Sequence, residues 1–220
     1  NLLLIAMVLL TSCNSNSDVK QSDNTQKNVD EITQKALEEW RSEHFGMFIH
    51  FGIYSELAGW WKGEKIPFYG EQIMNHARIT TDEYEAVARE FNPQDFNADE
   101  IVLLAKNAGM KYIVMTSKHH DGFCMFHTET TDYNVVDFTP FGRDVVKELS
   151  DACKRHGIKF GLYYSLPDWH YPLGIPRLAP DPTTKCHEYV NQVYSPLEIV
   201  TPELEDYIVA QVTELLTNYG

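Results

Sequence analysis

The stretch TSKHHDGFCMF, Thr116 to Phe126, sets His119, His120 and Asp121 directly behind an apolar run, YIVM. Two other apolar runs end in similar side chains. FGMFI leads into His50-Phe51-Gly52, and IKFGL leads into Tyr163-Tyr164-Ser165 and then Asp168-Trp169-His170. Imidazoles, a phenol and a carboxylate offer paired donors and acceptors for hydroxyl groups. Trp60, Trp61, Phe68 and Trp169 add apolar faces of the kind that pack against the C–H side of a sugar ring. Together these make a carbohydrate-type lining. Histidines at strand ends also ligate metals, but the chain has no HxH on the first of these runs and no HExxH anywhere, so neither metal nor cofactor is expected. Asp121 is expected to organise the turn after His120, and Asp168 to act as a cap or to be solvated.

These side chains need a scaffold that brings three strand ends together. FGMFIHFG (45–52), KYIVMTS (111–117) and IKFGLYYS (158–165) read as short buried strands. Helical segments separate them. TTDEYEAVAREF has a Thr/Asp start with apolar spacing at Tyr84, Val87, Ala88 and Phe91. NADEIVLLAKNAG opens on Asn97 and closes on Gly109, and GRDVVKELSDACKRHG ends in Lys154, Arg155 and His156 before Gly157. TPELEDYIVAQVTELLTNYG opens on Thr201 as cap with Pro202 at the first helical position and has Gly220 as its expected terminator.

Strands alternating with helices, with no hairpin signal, predict a parallel sheet covered by helices. A (β/α)8 TIM-like barrel is favoured over a doubly wound sheet, because no glycine-rich phosphate loop follows the first strand and the polar clusters all follow C-terminal strand ends. About the first three β/α units are present, and the chain is expected to stop before the fourth strand. Side-chain alternation turns His50 and Tyr163 toward the barrel interior and Tyr164 outward, with Gly46 and Gly161 suited to a crowded face. His119 and His120 lie past the regular strand, so either or both can face the pocket.

Composition narrows the partners. The chain has 220 residues, 43% of them hydrophobic, and a formal charge of −14, so it can bury a core but repels a nucleic-acid backbone. Residues 1–13, NLLLIAMVLLTSC, resemble the end of a bacterial lipoprotein signal, with Cys13 as the lipid-attachment residue. Residues 14–35 then read as an exposed tether and 36–220 as the N-terminal portion of the catalytic barrel, expected to stop before the fourth strand. The resemblance implies export and membrane contact only through a lipid anchor. Cys124, Cys153 and Cys186 have no CxxC spacing, and Cys124 and Cys153 read as small buried thiols.

From about residue 38 onward the chain resembles the retaining α-L-fucosidases of glycoside hydrolase family 29. The resemblance rests on WRSEHFGMFIHFGIYS, GEQIMN, EFNPQDFNADEIVLLAKNAGMKYIVMTSKHHDGFCMF and TDYNVVDFTPFGRDVVKELSDACKRHGIKFGLYYSLPDWH, in the family's order. It implies that His50, Glu71, His119, His120 and Tyr163 bind fucose, with a fucosylated oligosaccharide or glycoprotein glycan as partner. Where the family has tryptophan after Glu71 this chain has Gln72, and Trp60 or Trp61 is the expected substitute. The implied chemistry is a two-carboxylate double displacement. Both catalytic carboxylates are expected after Gly220. A fucose-binding, lectin-like surface protein or an inactive fragment is the alternative. The proline-rich stretch 172–202 is long for a strand-to-helix connection and reads as a lid or subsite wall.

Overall fold

The structure, a computed structural model, describes residues 31–170 and 201–219. Cys13, Cys186, Gly220 and nearly all of the proline-rich stretch therefore lie outside the described residues. The chain divides into two compact units, Asn1–His44 and Phe45–Gly220. In the first unit residues 31–42 form helix α1, so residues 31–35, read above as the end of a tether, are helical.

The second unit is built on three parallel strands, β1 (Gly46–Ile49), β4 (Tyr112–Lys118) and β5 (Lys159–Tyr164), in the order β1-β4-β5. Gly46 pairs with Tyr112 and Ile49 with Met115; Tyr112 pairs with Lys159 and Thr116 with Tyr163. Strands that follow one another in the chain are thus neighbours in the sheet, as in the first three units of a β/α barrel. Ile113 and Met115 on the central strand are fully buried. The space beside Gly46 is taken by the Tyr112 ring and that beside Gly161 by Val114, which explains a residue without a side chain at each.

The helices follow their caps. In α4 (Thr81–Ala88) the Thr80 hydroxyl accepts from Glu83 N at 3.3 Å, while Thr80 N donates to Glu83 Oε2 at 3.1 Å, a reciprocal capping box. Asn97 caps α5 (Ala98–Asn107), whose Ala98, Val102 and Ala105 form the buried stripe. Asp144 caps α6 (Val145–His156) through Lys147 N at 2.8 Å, and Val145, Val146, Leu149, Ala152 and Cys153 face the core. Three basic residues close α6 where the helix dipole favours them. Thr201 and Pro202 open α7 (Pro202–Asn218) as expected. Cys124 and Cys153 are buried free thiols.

Two features depart from the expectation. Between β1 and α4 lie two short helices, α2 (Ile53–Leu57) and α3 (Ile73–His76), and an antiparallel hairpin of β2 (Trp60–Trp61) and β3 (Glu64–Lys65). Lys62 and Gly63 take consecutive positive φ values, 49° and 82°, which is the turn that a two-residue hairpin requires. Glycine supplies the second at no steric cost, but two residues per strand carry too little alternation to be seen in sequence. The second departure is a bulge at Ser117 in β4, after which Lys118 rather than Ser117 pairs with Tyr164. Among the described residues no helix is long and apolar enough to cross a membrane.

Candidate active site

The bulge in β4 re-aims everything that follows it. Ser117 Oγ donates to the Tyr163 carbonyl at 2.8 Å, and Lys118 is swung over the Tyr164 ring, its Nζ 4.6 Å from the centroid. Beyond it His119 and His120 leave the sheet together, their ring centroids 4.3 Å apart.

The three strand ends converge as the alternation predicts. The His119 ring lies 5.5 Å from His50 and 5.9 Å from Tyr163, and His50 lies 6.4 Å from Tyr163. Tyr164 turns to the other face, where its hydroxyl donates to Gln211 Oε1 at 2.7 Å. Sequence reasoning missed two members of this cluster. Phe48, about half exposed, stacks on His50 at 4.8 Å and meets Tyr163 at 5.8 Å. Tyr54 meets His119 at 5.6 Å and shares a hydrogen bond with Thr116 at 3.1 Å. Phe48 was findable, since it shares the strand face of His50; Tyr54 lies on a helix that carried no clear sequence signal.

Burial sets the protonation of His119 and His120. Desolvation, aided by the neighbouring His120 and His50, pushes His119 down to about 3, while the Glu71 backbone pushes weakly the other way. His120 is lowered as well, first by burial, with Lys118 and His50 adding to it and Glu71 opposing. Both rings are neutral near pH 7. The Nδ1 atom of His119 is buried with no hydrogen-bond partner among the described residues. A buried polar atom in that state costs about 1–3 kcal/mol, a cost that a ligand hydroxyl would relieve.

Glu71 sits half-buried in the 3-10 turn Gly70–Gln72, close enough for its backbone to act on His119. The structure thereby gathers His50, Glu71, His119, His120 and Tyr163. Of the expected tryptophans, Trp169 lies 5.4 Å from His120. Trp60 is exposed on the hairpin and Trp61 packs against the core; neither has a ring contact with the histidines among the described residues. Phe68 lies 5.3 Å from His76, a buried histidine whose two ring nitrogens also lack partners among the described residues.

The local carboxylates are occupied elsewhere. Asp121 is fully buried, accepts from Tyr84 OH at 2.9 Å and from Phe123 N at 3.2 Å, and burial raises it to about 7. It organises the turn, as expected. Asp168 is corrected in part: it caps His170 N at 3.0 Å but is not solvated, because its Oδ2 accepts from Lys118 Nζ at 2.9 Å with both side chains buried. Burial opposes the Lys118 charge, yet Asp168, with Tyr164 and Cys124 beside it, outweighs it and raises the ammonium above its ordinary value. Gly122 fits against this pair at φ +80°, where any side chain would collide with the Asp168 carboxylate. Among the described residues no group of three or more His, Cys, Asp or Glu side chains is arranged to hold a metal ion.

Comparisons with known proteins give the chain its relatives. The family model described as alpha-L-fucosidase matches residues 12–220. Plasma alpha-L-fucosidase of Homo sapiens is 36% identical over 185 residues, which cover 80% of this chain and 38% of that protein. The crystal structure of an alpha-L-fucosidase from a Vibrio strain is 39% identical, with a TM-score of 0.71 over 84% of this chain and 31% of its own. An alpha-L-fucosidase from Lactobacillus casei, in complex with its α-L-fucose product, is 41% identical with a TM-score of 0.68, over 81% of this chain and 57% of its own. The chain spans less than half the length of the curated relatives it matches.

Proposed function

The chain belongs to the alpha-L-fucosidase family, and from that membership we propose that it supplies the fucose-recognition rim of a retaining glycosidase acting on fucosylated oligosaccharides or glycoprotein glycans. In this reading the three β/α units continue into a closed (β/α)8 barrel. His50, His119, His120 and Tyr163 hydrogen-bond the sugar hydroxyls, Glu71 accepts from one of them, and Phe48 and Trp169 cover its apolar face. The reaction is a double displacement. One carboxylate attacks the anomeric carbon as a second protonates the leaving oxygen, and water then releases fucose with retained configuration. In this reading Asp121 and Asp168 are not the reacting pair, since they are committed to Tyr84 and Lys118.

The observation that carries the proposal is the buried His119 Nδ1, which has no hydrogen-bond partner among the described residues and whose ring lies beside His50 and Tyr163. The test is turnover of 4-nitrophenyl α-L-fucoside by the full-length protein, with the anomeric form of released fucose followed by NMR. Release of α-fucose first supports the retaining reading. Release of β-fucose overturns the double displacement, and saturable fucose binding with no release establishes the lectin-like alternative.

The apolar run ending in Cys13 carries a separate reading, independent of the family. We infer an exported protein held at a bacterial membrane by lipid on that cysteine, supported by the Ser/Asn/Asp/Gln-rich sequence that follows it.

A further inference from the structure

We propose that Ser165 is a positioning residue that sets the tautomer of His120: its hydroxyl donates to Nδ1, so the ring proton resides on Nε2. The consequence for substrate rests on the fucosidase reading; the tautomer does not. Ser165 is buried, and its Oγ lies within hydrogen-bonding reach of His120 Nδ1. A serine hydroxyl has one hydrogen and can accept in return. Among the described residues the Ser165 hydroxyl has no other hydrogen-bond partner.

That isolation decides the direction of the bond. If Nδ1 carried the proton, Ser165 would accept it and leave its own hydrogen buried without an acceptor. If Nδ1 is bare, the hydroxyl hydrogen is used and nothing is stranded. Burial lowers the pKa of His120, so the doubly protonated ring is not a competing state near neutrality.

The surrounding backbone holds the two groups in place. Ser165 N donates to the Lys118 carbonyl at 3.1 Å, and Trp169 N donates to the His120 carbonyl at 2.8 Å. The buried Lys118–Asp168 pair ties the same two loops from beneath. A neutral imidazole presents one donor and one acceptor, and the bond at one nitrogen fixes what the other offers. With Nδ1 engaged, His120 offers a donor at Nε2, suited to a lone pair on a sugar oxygen. The opposite tautomer would set acceptor against acceptor there.

The experiment is a two-bond proton–nitrogen correlation at neutral pH on full-length protein with ring-15N histidine, the His120 signals being assigned from a His120→Gln sample. Wild type should show the Nε2–H pattern. Ser165→Ala should show a mixture or the Nδ1–H form, with kcat/KM for 4-nitrophenyl α-L-fucoside down about tenfold, the scale of one lost hydrogen bond. Ser165→Thr, which keeps the hydroxyl, should restore both. An Nδ1–H pattern in wild type overturns the proposal without recourse to any variant. So does an unchanged Nε2–H pattern in a folded Ser165→Ala. A wild-type protein that shows the Nε2–H pattern, responds to Ser165→Ala, and yet turns over no fucoside supports the Ser165 assignment while overturning the proposed activity.

Discussion

Tyr163 and Tyr164 are adjacent, yet they face opposite sides of β5 and do different work. Tyr163 meets the histidines, while Tyr164 donates to Gln211 on α7. Tyr163→Phe, like His50→Ala, His119→Ala or His120→Ala, should lower kcat/KM for an aryl α-L-fucoside by the equivalent of about 1–3 kcal/mol, because a buried sugar hydroxyl loses its partner. Tyr164→Phe should leave turnover nearly intact and lower the melting temperature instead; wild-type kinetics in both the His50 and His120 variants would remove the site. Asp121 makes a second residue-scale case. Its carboxyl is raised from 3.8 to about 7 by burial, so the native state holds the proton where the unfolded chain has lost it. The stabilisation is fully present below the unfolded value and is lost as pH rises through about 7. Asp121→Asn should therefore gain stability relative to wild type between about pH 4 and about pH 7, at up to about 1.4 kcal/mol per pH unit, and level off above. Urea unfolding at several pH values measures this. The lowered His119 acts in the opposite sense, costing stability as pH falls below 6.5 toward about 3, and cancels in the comparison.

At the scale of elements, the rim depends on how β4 ends. The Ser117 bulge swings Lys118 over the Tyr164 ring, and its ammonium then has to find Asp168 from the loop after β5. Removing one partner strands a charge in a site closed to water. Lys118→Met should cost about 3–5 kcal/mol of stability in the full-length protein, while Lys118→Met combined with Asp168→Leu should recover most of it. If the double variant melts like wild type but its KM for the aryl fucoside has risen, the pair serves to register the two loops. Equal stability in the single variant and wild type would show that the ion pair does not hold the rim.

At the scale of the whole molecule, the property to test is location. The proposed lipid on Cys13 makes membrane association a property of one sulfur atom. Full-length protein expressed in a bacterium should partition into the detergent phase, and Cys13→Ala should shift it to the aqueous phase or leave its leader unprocessed. Equal partitioning of the two forms would exclude the anchor. The charge of −14 suits a neutral glycan partner better than a polyanion, so no gain in affinity for nucleic acid is expected at low salt.

The sequence by itself determined the parallel β/α order, the caps Asn97 and Thr201, and the shared strand face of His50. Those depend on local propensity and a period of two or 3.6 residues, which a chain displays without being folded. It also carried the family, through KHHDGF and FGMFIHFG. It did not show the hairpin at Trp60–Lys65, whose strands are too short for a period, nor the helical state of residues 31–35. Tertiary structure alone decided how His119 and His120 lie, because a bulge breaks the alternation just before them. It also decided that Asp168 is buried on Lys118, 50 positions away, and that Ser165 meets His120 across 45. Partners so distant in sequence are chosen by the packing of β4 against β5, and no local pattern encodes which oxygen will reach which nitrogen.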